Sequence, residues 1–360
     1  MAPDAVADGS VASAASKAPE PPSGMTGDRD QSLPKILVIG ASGFVGAAIV
    51  RAAMTSNDIR PVACMRASSQ ALNSLGIETR ICDASDPAAL THALEGVTYA
   101  VNCVLGSRAT MLAVTRNLCG AARQLGLRRI VHLSSMAVYG RITGTVDETA
   151  RLQPVGGYGL AKAECEIIVG DFIAAGGDAV VLRPACVYGP GGEQWVGRIA
   201  RWLRSGRLGQ LGELADGYCN LSFNDDLAGA VIAAAKSGEC AGEIFNIADP
   251  DPGTWDDYFL RLGREIGAPL RRVSRRRMAL ETAFLAPPLQ IAKIVGRRLG
   301  VAPGAIPEPI TPSLLPLWRQ RMRLNCRKAD DALALRHTPL QQGLALSADW
   351  FRSEATESPP

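Results

Sequence analysis

The chain has little with which to build a disulfide framework or a zinc site. Its nine cysteines are odd in number and scattered, and no Cys-x-x-Cys pair occurs. Several of them (Cys64, Cys82, Cys103) fall in predicted strands, so they read as small core residues in a reducing compartment. His132 has no second histidine at metal-ligating spacing and reads as a packed strand residue, so no metal is expected. Charge of one sign is also lacking: 38 basic and 35 acidic residues leave +3, a sum that hides local clusters and selects no class of partner. No apolar run approaches the length needed to span a bilayer. The N-terminal segment has neither the basic start nor the apolar centre of a secretory signal, and a cytoplasmic location is expected. Residues 1–33, rich in Ala, Pro, Ser, Gly and Asp, lack hydrophobic periodicity and are expected to form a disordered tail.

What is present is organised around the stretch from Lys35 to Gly46. Ile36 to Ile39 form an apolar run without polar alternation, as in a parallel strand buried on both faces. Gly40 ends it, Gly43 removes a side chain where a pyrophosphate would approach the backbone, and Gly46 permits close packing of the helix that follows. The amides at that helix start would face an anion. A second strand over 59–66 ends at Arg66, a basic residue where the adenosine ribose is read, which leans towards NADP over NAD. A third strand ends at Asp83, Asp86-Pro87 opens a helix, and a fourth strand covers 99–104. The fifth, over 128–135, ends in the hydroxyls of Ser134 and Ser135.

Further on, Tyr158 and Lys162 stand four residues apart on one face of a predicted helix. A free phenol is a poor base at neutral pH, but a neighbouring ammonium and an oxidised nicotinamide favour its phenolate. Tyr158 is therefore the candidate acid/base, and Lys162 its tuner and ribose anchor. Ser135, with Ser134 behind it, is the candidate donor to a substrate oxygen.

Together these motifs, with the segments 132–140 and 182–190, resemble the extended short-chain dehydrogenases/reductases of the NAD-dependent epimerase/dehydratase family over about residues 35–352. The resemblance implies a Rossmann-type α/β fold with a doubly wound parallel sheet and a smaller C-terminal substrate lobe. It assigns catalysis to Ser135, five residues before Gly140, with Tyr158 and Lys162, and it gives Asp83 a hydrogen bond to the adenine amino group. The dinucleotide contacts expected are Gly40, Ser42, Gly43, Phe44, Val45, Gly46, Arg66, Asp83, Tyr158, Lys162 and Pro184. The expected division is 34–183 for the nucleotide-binding domain, completed by 221–248, and 184–220 with 249–352 for the lobe. Residues 353–360 read as a frayed tail.

The second half bears on substrate. Cys186 and Cys219 stand where sugar-nucleotide members of the family commonly carry asparagine and arginine, and a thiol cannot hold a diphosphate as a guanidinium does. Arg198, Arg201 and Arg204 read as a solvated helix face, with a substrate phosphate contact as the other reading. Asp225 and Asp226 precede an apolar helix and are expected to cap it. Met278 to Val295 is strongly apolar, broken by Pro287-Pro288 and bracketed by arginines. It reads either as a buried lobe helix with a basic rim or as a peripheral membrane contact through 271–299. The tail from Pro309 to Phe351 is similar to that of the 3β-hydroxysteroid-dehydrogenase-like branch and to that of epimerases. The expected activity is NAD(P)-dependent hydride transfer at a secondary alcohol or ketone of a lipophilic or steroid-like substrate. A nucleotide-sugar epimerase or dehydratase with internal hydride return, and a cofactor-sensing binding protein, are the rivals. A small-molecule substrate, no nucleic acid and a homodimer complete the expected partners.

Overall fold

The structure is a computed structural model and describes residues 33–301 and 306–357; the expected disordered tail lies almost wholly outside them. The apolar run Lys35–Ile39 (β1) is buried from Ile36 onward because parallel strands pair with it on both sides. Its partners are Arg60–Met65 (β2) and Tyr99–Asn102 (β4). Glu78–Ile81 (β3) extends the sheet beyond β2, and Arg129–Leu133 (β5) extends it beyond β4. Two short parallel pairs lie apart from this sheet: Gly144–Val146 (β6) with Met322–Leu324, and Cys186–Tyr188 (β8) with Leu221–Phe223 (β9). Ala179–Pro184 (β7) and Ile244–Ile247 (β10) close the central sheet, whose order is β3-β2-β1-β4-β5-β7-β10. The order reverses between β1 and β4, which opens a crevice at the carboxyl ends of the strands.

The helices Phe44–Met54 and Asn224–Lys236 cover one face of this sheet, and Pro87–Ala93, Arg108–Leu125 and Gly156–Ala174 cover the other. A third hydrophobic cluster, around the fully buried Trp202, Trp255 and Trp318, is built mostly from residues after Pro184, with Met136, Val138, Tyr139, Val146 and Ala163 joining it. The helix-start signal at Asp86-Pro87 is realised in full: the Asp86 carboxylate accepts from the amides of Ala88 and Ala89 at 2.8 and 3.0 Å.

Several local expectations are corrected. β5 stops at Leu133, so Ser134 and Ser135 lie past the strand, and Ser135 caps the 3-10 turn Met136–Tyr139. Asp225 and Asp226 lie in the first turn of Asn224–Lys236 and do not cap it. Asp226 accepts from the amide and hydroxyl of Thr338 at 2.7 and 2.8 Å, which ties the C-terminal segment to the sheet. The last helix, Leu340–Glu357, runs through the start of the expected frayed tail. Pro287-Pro288 do not break their segment. Arg275–Leu280, a π-helical turn Glu281–Leu285 and Ala286–Arg298 follow without interruption, the wide turn accommodating the amide donors that the prolines lack. The stretch Arg275–Gly296 is, by length and composition, sufficient to cross a membrane, contrary to the expectation that no such run exists.

Candidate active site

The glycine turn is shaped by contacts that no larger residue could make. Gly40 has φ +88°, and a Cβ on Gly46 would lie 2.3 Å from the Gly40 carbonyl oxygen. Gly43, the N-cap of the helix Phe44–Met54, supplies no side chain to the first-turn amides, which have no acceptor within the helix. A cradle of exposed backbone at a helix start fits a dinucleotide pyrophosphate. Ser42 and Gly43 are exposed, Phe44 and Val45 half-buried. The Phe44 ring reaches towards the loop after β8, where a Cβ on Gly192 would come within 3.1 Å of it. Asn224 donates to the Phe44 carbonyl at 3.2 Å, joining this turn to the helix it heads.

At the other end of the crevice Arg66 is exposed just past β2. Asp83, exposed past β3, accepts from the hydroxyl and amide of Ser85 at 2.7 and 3.0 Å. These bonds hold its carboxyl below the ordinary carboxylate range, with a smaller pull from Arg66. Arg66 and Asp83 thus sit on adjacent rims of the sheet, where an adenosine would lie.

Ser135, Tyr158 and Lys162 come together at the carboxyl end of β5. A Cβ on Gly159 would stand 2.7 Å from the Ala137 carbonyl oxygen, so a glycine there lets the helix Gly156–Ala174 approach the turn that Ser135 caps. The Ser135 hydroxyl is thereby placed near enough to the Tyr158 phenol to act on its ionisation. Tyr158 as a whole is 44% exposed. Burial raises the Tyr158 pKa above its ordinary value, the Ser135 hydroxyl pulls down, and the nearby Cys186 thiol adds to the rise. Lys162 is buried and donates to the Leu133 carbonyl at 2.6 Å. Burial lowers its pKa. The Lys162 ammonium is engaged by the carbonyl at the end of the strand, and burial pushes the Tyr158 phenol up. Pro184 ends β7 as a buried residue in register with Ile247.

Beneath these groups runs a buried polar chain that sequence reasoning missed. Ser134 donates to Glu166, whose other oxygen pairs with Arg183 at 2.6 Å. Arg183 donates to the Tyr139 hydroxyl at 2.9 Å, and Tyr139 donates to Asn246 at 2.7 Å. The signal was available: Glu166 follows Lys162 by four residues, on the same helical face.

Next to Tyr158 the fold gathers two thiols, aromatic rings and the Arg198 guanidinium. Cys186 and Cys219 are buried, and burial raises both thiols. Arg198 is half-buried, with its guanidinium carbon 5.8 Å from the Trp195 ring and 5.0 Å from the Trp202 ring. Its Nε has no hydrogen-bond partner among the described residues, and its charge acts on Cys186. The solvated face expected for the three arginines is thus corrected at Arg198; Arg201 pairs with Glu193, and Arg204 is exposed beside Phe351.

Known proteins are similar to this chain in sequence or in fold. The 2-alkyl-3-oxoalkanoate reductase of Stenotrophomonas maltophilia is 28% identical over 271 residues, 69% of this chain and 80% of that protein. The UDP-glucose 4-epimerase of Vibrio cholerae is 26% identical over 62% of this chain and 73% of its own. In fold, the UDP-glucuronic acid 4-epimerase of Bacillus cereus, solved with UDP-glucuronic acid and NAD, superposes with a TM-score of 0.68 at 19% identity, covering 89% of this chain and 99% of that one. The model of the NAD-dependent epimerase/dehydratase family matches residues 36–248, the span that contains the glycine cradle and all three catalytic candidates. The chain belongs to the NAD-dependent epimerase/dehydratase family.

Proposed function

We propose that this protein reduces a ketone, or oxidises the corresponding secondary alcohol, on a lipophilic small molecule. The observation that carries the reading is the juxtaposition of Ser135 and Tyr158, with the buried Cys186 thiol beside them. The bound dinucleotide supplies the hydride donor or acceptor. Ser135 donates a hydrogen bond to the substrate oxygen, and Tyr158 delivers its proton there. A phenol is protonated at neutral pH, and burial pushes Tyr158 further up, so it serves as the proton donor in the reductive direction. Lys162 secures the catalytic helix against β5 and would reach the nicotinamide ribose from there.

The substrate would be held by residues of 184–220 and 249–352, where two buried thiols offer little to a diphosphate. A relative whose name specifies a 2-alkyl-3-oxoalkanoate supports a substrate of this kind. Exposed Arg66 supports NADP over NAD, and nine free cysteines support a reducing, cytoplasmic setting. The experiment is to follow NADPH and NADH absorbance with a series of alkyl ketones and oxo acids of increasing chain length. Net oxidation of NADPH, rising with chain length, is expected. Half-buried Arg198 favours a second reading, nucleotide-sugar epimerisation, which predicts tightly retained NAD and turnover of a UDP-sugar without net absorbance change.

A further inference from the structure

The helical segment from Arg275 to Arg298 has two unlike sides. Met278, Glu281, Thr282, Ala286 and Gly296 are buried against the protein. Glu281 pairs with Arg207 through Nε at 2.6 Å, and Lys293 pairs with Glu308. These contacts fix the segment along the protein surface. The other side carries Leu280, Phe284, Leu285, Ile291, Ile294 and Val295, all exposed, with Phe284 at 71% and Ile291 at 63%. Leu299 extends the stripe at 75% exposure. Single exposed apolar residues need no explanation, but a contiguous stripe of this length does.

Charge decides what covers it. Arg271, Arg272, Arg275 and Arg276 are exposed before the stripe and Arg298 after it. Of these, Arg275 is paired, with Glu213. A second copy packed antiparallel along the stripe would bring one basic end against the other, and a parallel copy would align like with like. An anionic lipid surface satisfies both features, taking the apolar side chains into its acyl boundary and the arginines among its headgroups. Although the segment is long and apolar enough to span, its pairs with Arg207 and Glu308 would have to break for it to do so. We propose that residues 271–299 form a monotopic docking surface through which the protein lies on an anionic membrane. This goes beyond the proposed reaction and does not depend on it.

The test is sedimentation of the full chain with vesicles of phosphatidylcholine alone or with one-third phosphatidylglycerol. Binding to the anionic vesicles is expected, with much weaker binding to the neutral ones and release as salt is raised. The paired substitution Phe284→Asp and Ile291→Asp should lower the partition coefficient by about tenfold or more, and Arg276→Glu with Arg298→Glu by a similar factor. All four positions are exposed, so each pair is made without opening the core, and the wild-type lipid and salt comparison stands without any variant. Equal partition to both vesicle types, absence of sedimentation with either, or a wild-type dimer that Phe284→Asp dissociates would each overturn the proposal.

Discussion

The Lys162 ammonium donates to the carbonyl oxygen of Leu133 at 2.6 Å, fastening the helix that carries Tyr158 to the strand end that leads into Ser135. Both partners are buried, so this bond sets the distance between the two hydroxyls as much as it orients the lysine. Lys162 is in this respect a positioning residue for the Ser135–Tyr158 pair.

Removing each hydroxyl should therefore affect turnover differently from removing the lysine. Tyr158→Phe is expected to lower kcat by about 10²- to 10⁴-fold, the range of a lost general acid. Ser135→Ala should lower it by about 10²- to 10³-fold, as for one lost donor to a developing oxyanion. Both should retain dinucleotide binding, measured by titration of NADPH fluorescence, whereas Lys162→Met should weaken it as well as kcat. Unchanged turnover in Tyr158→Phe would remove the proposed chemistry.

The pH dependence follows from the raised Tyr158 pKa. The proton donor persists below that pKa, so ketone reduction should be flat through neutral pH and fall only above about 10. Alcohol oxidation, which needs the phenolate, should rise with pH over the same range. Initial rates in both directions from pH 6 to 11 check the sign.

His132 gives a stability prediction. Buried on β5, its imidazole is pushed down to about 3, chiefly by burial and further by the Lys162 charge. In the unfolded chain it would titrate near about 6.5, so between these values the unfolded state takes up a proton that the folded state refuses. Stability should fall as pH drops through this window, by up to about 4 kcal/mol at its lower end. Urea unfolding of the wild type and of His132→Phe across pH 7 to 4 should show a shallower acid loss in the variant. Parallel curves would contradict the assignment.

The Glu166–Arg183 pair is buried, hydrogen-bonded and shared with Ser134 and Tyr139. Glu166→Gln leaves the Arg183 charge without its counterion and should destabilise by about 3–5 kcal/mol. The double change Glu166→Met with Arg183→Leu removes both charges and should cost less than Glu166→Gln alone. Thermal unfolding of the two variants measures the difference.

Residues close in sequence, with one strong local preference, determined much of the fold. The apolar run before Gly40, the steric demand at Gly46, the Asp86-Pro87 helix start and the four-residue spacing of Tyr158 and Lys162 each act within a few positions of the chain. They were legible because helix and strand periodicity and turn sterics are local quantities. Packing tells Ser134 and Ser135 apart: Ser134 donates to Glu166, whereas Ser135 accepts from the Ala137 amide and lies near Tyr158. Tertiary structure alone decided the use of Asp226, whose partner Thr338 is 112 residues away, and of Arg198, whose neighbours Trp195 and Trp202 enclose it. It also decided which side of the segment 275–298 meets the protein. That stretch is apolar on most sides, so periodicity cannot select a buried face; the pairs Glu281–Arg207 and Lys293–Glu308 select it, through contacts the local sequence does not contain.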